Sequence, residues 1–152
     1  MIDTVRIWSL DAEPPEVTRT FDVEQGTYFV ALLFDHAGSR LAGPSGMIWD
    51  LTAPPAAGPL RLRRPGSFRF GLTFGPNDEV LATSVDSSVS LWPLTRPYPV
   101  ALAGHEGSAS PRAFTPDGNR LVSTSRDGTV RVWPLADDDG ERCRILDRVE
   151  VP

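Results

Sequence analysis

Hydrophobic and polar residues alternate in short runs along most of the chain, and Gly, Pro, Asp and Ser break the runs at close intervals. A period of two predicts half-buried strands, and an unbroken apolar run predicts a strand covered on both faces. Thr4 to Trp8, Val17 to Val23 and Leu60 to Arg64 alternate, as do the positions from Arg144 to Val149. Tyr28 to Phe34 (YFVALLF) is a continuous apolar run and Phe68 to Phe74 is largely apolar and aromatic, and both predict buried, innermost strands. Ala109 to Phe114 predicts a strand with Pro111 near its start or on a sheet edge, where a missing N–H is tolerated. Turns fall at Asp35 to Gly38, Gly75 to Asp78, Thr115 to Gly118 and Arg126 to Gly128, and Asp-Gly between alternating segments is a strong hairpin signal. The pattern predicts about fourteen strands and no helix.

The runs repeat. Val5-Arg6-Ile7-Trp8, Met47-Ile48-Trp49, Val89-Ser90-Leu91-Trp92 and Val130-Arg131-Val132-Trp133 are equivalent endings, and they hold all four tryptophans. The tryptophans are spaced by 41, 43 and 41 residues. A near-constant period of this size marks a repeat protein. Each period holds four strands joined by hairpin-length turns, which is a four-stranded antiparallel blade. Only three residues precede the first strand, so the reading is three full blades and the last two strands of another.

The last repeat carries the most detail: Gly104-His105, then Phe114-Thr115-Pro116-Asp117-Gly118, then Leu121 through Asp127-Gly128-Thr129-Val130-Arg131 to Trp133. This resembles the WD40 repeat over about thirty residues, and more weakly over nearly the whole chain. The resemblance implies an all-β fold, a WD40-like β-propeller fragment of three four-stranded antiparallel blades plus a half blade. The blades would span residues 24–64, 65–103 and 104–150, with 1–23 as the end of a truncated blade. It also implies a buried structural tetrad of His105, Ser123, Asp127 and Trp133. An indole N–H only donates and needs an acceptor when buried, a hydroxyl can accept it and donate onward, and a carboxylate can fix the imidazole tautomer. The other repeats depart from this. The third has Thr83, Asp86 and Trp92, but Arg64-Pro65 stands near the Gly-His position. The second has Gln25 near the His position and no turn Asp.

By the same resemblance, partners dock on the rim around the central channel. The matching positions are Ser108, Ser110 and Arg126 in the last repeat. In the third they are Phe68, Phe70 and Val85, and in the second Tyr28 and Val30. Core packing is an equal reading for Phe68 and Phe70. The implied function is a non-catalytic scaffold for protein–protein interaction. High-GC bacterial proteins with such repeats resemble signalling proteins, so a C-terminal sensor or docking piece of a larger one is the expectation.

Composition narrows the alternatives. The 152 residues suit one domain, and 40% are hydrophobic, enough for a core. Net charge is −5, which argues against a general nucleic-acid binder. All 15 basic residues are Arg, consistent with a GC-rich genome. The single Cys143 cannot form an internal disulfide, and no apolar run is long enough to cross a membrane as a helix. A cytoplasmic protein without cofactor or metal is the expectation. A half ring leaves sheet faces uncovered, and such patches mark association. The missing blades would come from sequence upstream, from a second copy or from another chain, with a fragment of a longer protein preferred.

Competing chemistry is thin. Ser123, His105 and Asp127 have the residue types of a hydrolytic triad, but a hydroxyl locked in a buried lattice has no pocket or oxyanion hole. His36, in a turn, reads as solvated surface. Asp137 to Asp139 reads as a charged loop, not a cation site, and two His and one Cys at unrelated spacings make no zinc site. Arg61, Arg63, Arg64 and Arg69 form a local basic patch or a solvated strand face. A propeller hydrolase or lyase, or a degenerate gene remnant, stand as the alternatives.

Overall fold

The computed structural model describes residues 3–23, 31–43, 46–54, 57–62, 71–94, 100–135 and 144–148, with Asp3, Val85 and 144–148 through their backbone alone. Fourteen strands lie among the described residues. β1 (Asp3–Ser9) and β2 (Glu16–Val23) form a two-stranded sheet. β3 (Leu33–Phe34), β4 (Arg40–Ala42), β5 (Met47–Asp50) and β6 (Leu60–Arg61) form the first four-stranded sheet. β7 (Leu72–Phe74), β8 (Val80–Val85), β9 (Ser88–Pro93) and β10 (Val100–Leu102) form the second. β11 (Ala109–Phe114), β12 (Arg120–Ser125), β13 (Thr129–Pro134) and β14 (Arg144–Arg148) form the third. Each strand pairs antiparallel with its neighbour in sequence, so every sheet is a plain meander. This is the architecture of three blades and a half blade of a β-propeller.

Register makes the three blades superimposable in plan. Leu41 faces Trp49, Leu81 faces Trp92 and Leu121 faces Trp133 across the second and third strands of their sheets. The first turns repeat too. Asp35 N–H donates to the Arg40 carbonyl, Gly75 N–H to Val80 and Thr115 N–H to Arg120. Each of these turns has one residue in the left-handed region: Gly38, Asp78 and Gly118, with φ of 66°, 59° and 72°.

The described core falls into three clusters, each shared by two consecutive sheets. Trp49, Leu41 and Met47 pack on Val5, Phe21 and Val23 of the half blade. Trp92, Leu81 and Phe74 pack on Ala42 and Ile48 of the sheet before. Trp133, Leu121 and Ala109 pack on Ala82, Val89, Leu91 and Leu102. In each case the tryptophan looks back onto the apolar face of the preceding sheet. Trp8 has no such face to meet among the described residues and is 51% exposed.

One expectation is corrected here. The innermost strands are covered only at some positions: Phe74, Ala109 and Pro111 are buried, but their neighbours within the strands are not. Of the run Tyr28 to Phe34, the described strand is Leu33–Phe34, and Phe34 is 50% exposed. β11 leaves Arg112 and Ala113 exposed. The buried strands are the middle ones, β5, β8 and β9, where both faces are sandwiched. The second and third sheets meet most closely through their first strands, β7 and β11. The reading of Leu60 to Arg64 as one strand holds for Leu60–Arg61, and residues 63 and 64 lie outside the described residues.

Candidate functional site

The last sheet carries two adjoining polar groups of residues at its hairpin end. The first is buried. Trp133 Nε1–H donates to Ser123 Oγ at 2.8 Å, and Ser123 Oγ lies 2.8 Å from His105 Nε2. His105 Nδ1 lies 3.0 Å from Asp127 Oδ2. The polarity follows from the donor-only indole: Ser123 accepts from Trp133 and donates to Nε2, which places the imidazole proton on Nδ1, facing Asp127. Thr129 extends the group. Its N–H and its hydroxyl donate to Asp127 Oδ1 at 2.8 and 2.6 Å, and its Oγ1 lies 3.1 Å from His105 Nδ1. Glu106 N–H completes the set on Oδ2 at 2.9 Å.

Asp127 therefore stays ionised well into acid. Burial alone would raise its pKa. The hydrogen bonds from the Thr129 hydroxyl, the Glu106 and Thr129 amides and His105 more than offset that and hold it far below the ordinary carboxylate value. Ser123 has no exposed surface, and its proton and a lone pair are both engaged. A hydroxyl so held ties strand to loop and is not presented to a substrate.

The group is thinner in the earlier sheets. In the second, Trp92 Nε1–H donates to the buried Thr83 Oγ1 at 3.0 Å, while Asp86 is an exposed turn residue with φ of 52°. In the first, Gly43 takes the place of the hydroxyl. A Cβ there would lie 2.6 Å from Trp49 Cζ3, so the indole has moved into the vacated space. Trp49 packs instead at a tilt against Phe21 of the half blade, with ring centroids 5.4 Å apart.

The second group is open. Ser108, Ser110 and Arg126 line a cavity of about 460 Å³, together with Arg112, Thr124, Ser125, Gly71 and Ala31. Val85 closes β8 opposite Ser88, where the Asp86 carbonyl accepts from Ala109 N–H at the same end of the stack. Tyr28, Val30, Phe68 and Phe70 lie outside the described residues, as do Gln25, Arg63, Arg64, Arg69, Asp137 to Asp139 and Cys143. No group of metal-binding side chains is found among the described residues.

Sequence reasoning missed two side chains here. Thr129 is one; an Asp-Gly-Thr turn presents its hydroxyl back to the Asp two residues earlier, which is an ordinary Asx-type contact. Arg112 is the other. Pro111 pairs with Ser123 and Ala113 with Val122, so Arg112 is the extra residue of a β-bulge. The proline within the strand was the available signal. His36 is exposed, in line with its solvated reading, and has a partner besides: its ring and its N–H both meet Asp78 of the next sheet.

Comparison with known proteins agrees with this geometry. The family model described as WD domain, G-beta repeat matches residues 100–134. The chain is 36% identical over 86 residues to the Denticleless protein homolog of Danio rerio, covering 53% of this chain and 13% of that protein. It is 43% identical over 65 residues to the nuclear distribution protein nudF of Aspergillus flavus, covering 40% and 14%. It is 31% identical over 90 residues to the protein groucho of Drosophila melanogaster, covering 58% and 12%. The chain thus spans only about an eighth of the length of these relatives.

Proposed function

We propose, from the premise that this chain belongs to the WD40 repeat family, that it is a non-catalytic scaffold that docks a protein partner on the hairpin rim of its last blade. The observation that carries this reading is the convergence of Ser108, Ser110 and Arg126 on one open cavity, beside a buried lattice that fixes the loop and hairpin around it. The tetrad of His105, Ser123, Asp127 and Trp133 acts here as the support of the rim and not as reacting groups. A rigid rim loses little freedom on binding, so polar contacts there yield more net affinity. The finer reading is that the chain serves as a C-terminal docking or sensor piece of a larger bacterial signalling protein, and its all-arginine basic composition fits the GC-rich genome of such a source.

Site-specific photocrosslinking tests the location. A crosslinker at Arg126 or Ser108 is expected to capture a defined partner in the source cell. The same probe at Asn77 or Asn119, in turns at the opposite end, is expected to capture none. Equal capture from both ends would overturn the assignment.

A further inference from the structure

We propose that the rim cavity receives a phosphorylated segment of the partner, with Arg112 and Arg126 on the phosphoryl oxygens. This rests on the docking reading of the same cavity and adds to it the chemistry of the ligand.

The lining is selective. Two guanidinium groups and the hydroxyls of Ser108, Ser110, Thr124 and Ser125 surround the space. No carboxylate and no large apolar side chain stands among the described lining residues, in a chain whose net charge is −5. Basic charge is therefore concentrated where hydroxyl donors also gather. A carboxylate has two oxygens to satisfy, whereas a phosphate monoester has three with nearly two negative charges, which suits two arginines and a ring of hydroxyls.

Arg112 is placed for this by the backbone. Pro111 offers no N–H, the ladder slips between Pro111 and Ala113, and the bulge re-aims the residue between them. The side chain is then oriented by one bond: Arg112 Nε–H donates to Thr124 Oγ1 at 2.8 Å. With Nε so engaged, the end-on pair of Nη nitrogens remains as the edge that grips an oxyanion in bidentate fashion. The facing wall is bare backbone. Gly71 has φ of 79°, and a Cβ there would collide with Ser110 Oγ and approach the Pro111 carbonyl at 3.1 Å. The wall thus lets the second sheet come up against the bulge without filling the cavity.

The test uses the full chain and two fluorescent peptide libraries, identical except for one phosphoserine or phosphothreonine at the central position. Binding is followed by anisotropy, with inorganic phosphate as a separate titrant. The phosphorylated library is expected to bind at least about tenfold tighter than its unmodified twin, and Arg112→Gln is expected to remove that advantage. Arg112 is exposed, so its variant is expected to melt as the parent does. Arg126→Gln provides an independent second variant. Gly71→Ala, which crowds Ser110, is expected to weaken the phosphorylated library alone.

Equal binding of the two libraries, lost in either arginine variant, would keep the docking rim and overturn the phosphate chemistry. Binding of neither library would overturn the phosphate chemistry as well, and the crosslinking result would then decide the rim by itself. Inorganic phosphate that competes as tightly as the peptide would make the free ion the ligand and overturn the segment.

Discussion

Asp78 holds His36 of the preceding blade by two bonds at once: its Oδ1 accepts the His36 N–H at 2.9 Å and sits 2.8 Å from the ring Nδ1. Its Oδ2 accepts Ala37 N–H at 3.0 Å, and its carbonyl accepts Arg40 Nη1 at 3.0 Å. Asp78 does this from a left-handed backbone that the other two blades give to glycine. A residue with a Cβ is disfavoured there by about 1 kcal/mol or more. The latch between blades offsets that strain. Asp78→Gly is expected to lose the latch but relieve the backbone, and Asp78→Ala to lose the latch and keep the strain. Thermal melts should rank the parent above Asp78→Gly and Asp78→Gly above Asp78→Ala. An alanine variant as stable as the parent would remove the latch from the account.

Ser123→Ala strands the Trp133 indole N–H and His105 Nε2 in the core, and a buried group without its partner costs about 1–3 kcal/mol. Thr83→Val strands only the Trp92 indole, so its loss is expected to be the smaller of the two. Denaturant midpoints of the two variants check the order.

Restoring the repeat pattern in the first full blade is expected to do harm. Gly43→Ser supplies the hydroxyl that the last blade has, yet its Cβ would enter the space that Trp49 occupies. Overpacking of this kind costs about 1–3 kcal/mol. A rise in Tm for Gly43→Ser would show that the indole is free to swing back.

Acid should expose Asp127. Its folded pKa lies below the unfolded value near 3.8, so its stabilising effect is complete above that value and is lost as pH falls through the depressed folded one. Asp78 is depressed as well. Burial opposes the shift, but the His36 and Ala37 bonds outweigh it, and its effect has the same sign. The Asp127→Asn variant is expected to be less stable at neutral pH and to show a shallower fall of Tm below pH 4 than the parent. Parallel curves would contradict the linkage.

Much of this was legible in the residues. The spacing of four tryptophans gives blade number and order, because each indole closes an equivalent strand and those of Trp49, Trp92 and Trp133 lean on the sheet before. The Phe114 to Gly118 turn and the Asp127-Gly128 hairpin are local chemistry, and local chemistry can be read without the fold. Three features could not be read that way. Burial of the described end of the Tyr28 to Phe34 run was misjudged, since apolar composition alone does not tell whether Leu32 and Phe34 meet a neighbouring sheet. The Asp78–His36 contact joins turns 42 positions apart in sequence and depends on how consecutive blades are set against each other. Arg112 gains its place from a slip in the ladder that Pro111 signals but does not locate.

Each described cluster joins just two consecutive sheets, and that arrangement shapes how the molecule opens. Among the described residues, the sheets of β3 to β6 and of β7 to β10 are each held from both sides, while the sheet of β11 to β14 leans on one described neighbour. Resistance of amide protons to deuterium should therefore be highest in the middle strands β4, β5, β8 and β9 of these two inner sheets and lower in the sheet of β11 to β14, as in a stack whose members are secured only by those adjacent. A ligand gripping Arg112 and the Gly71 wall together would clasp the outer leaf to the one behind it, and that leaf would be the first to slow its exchange.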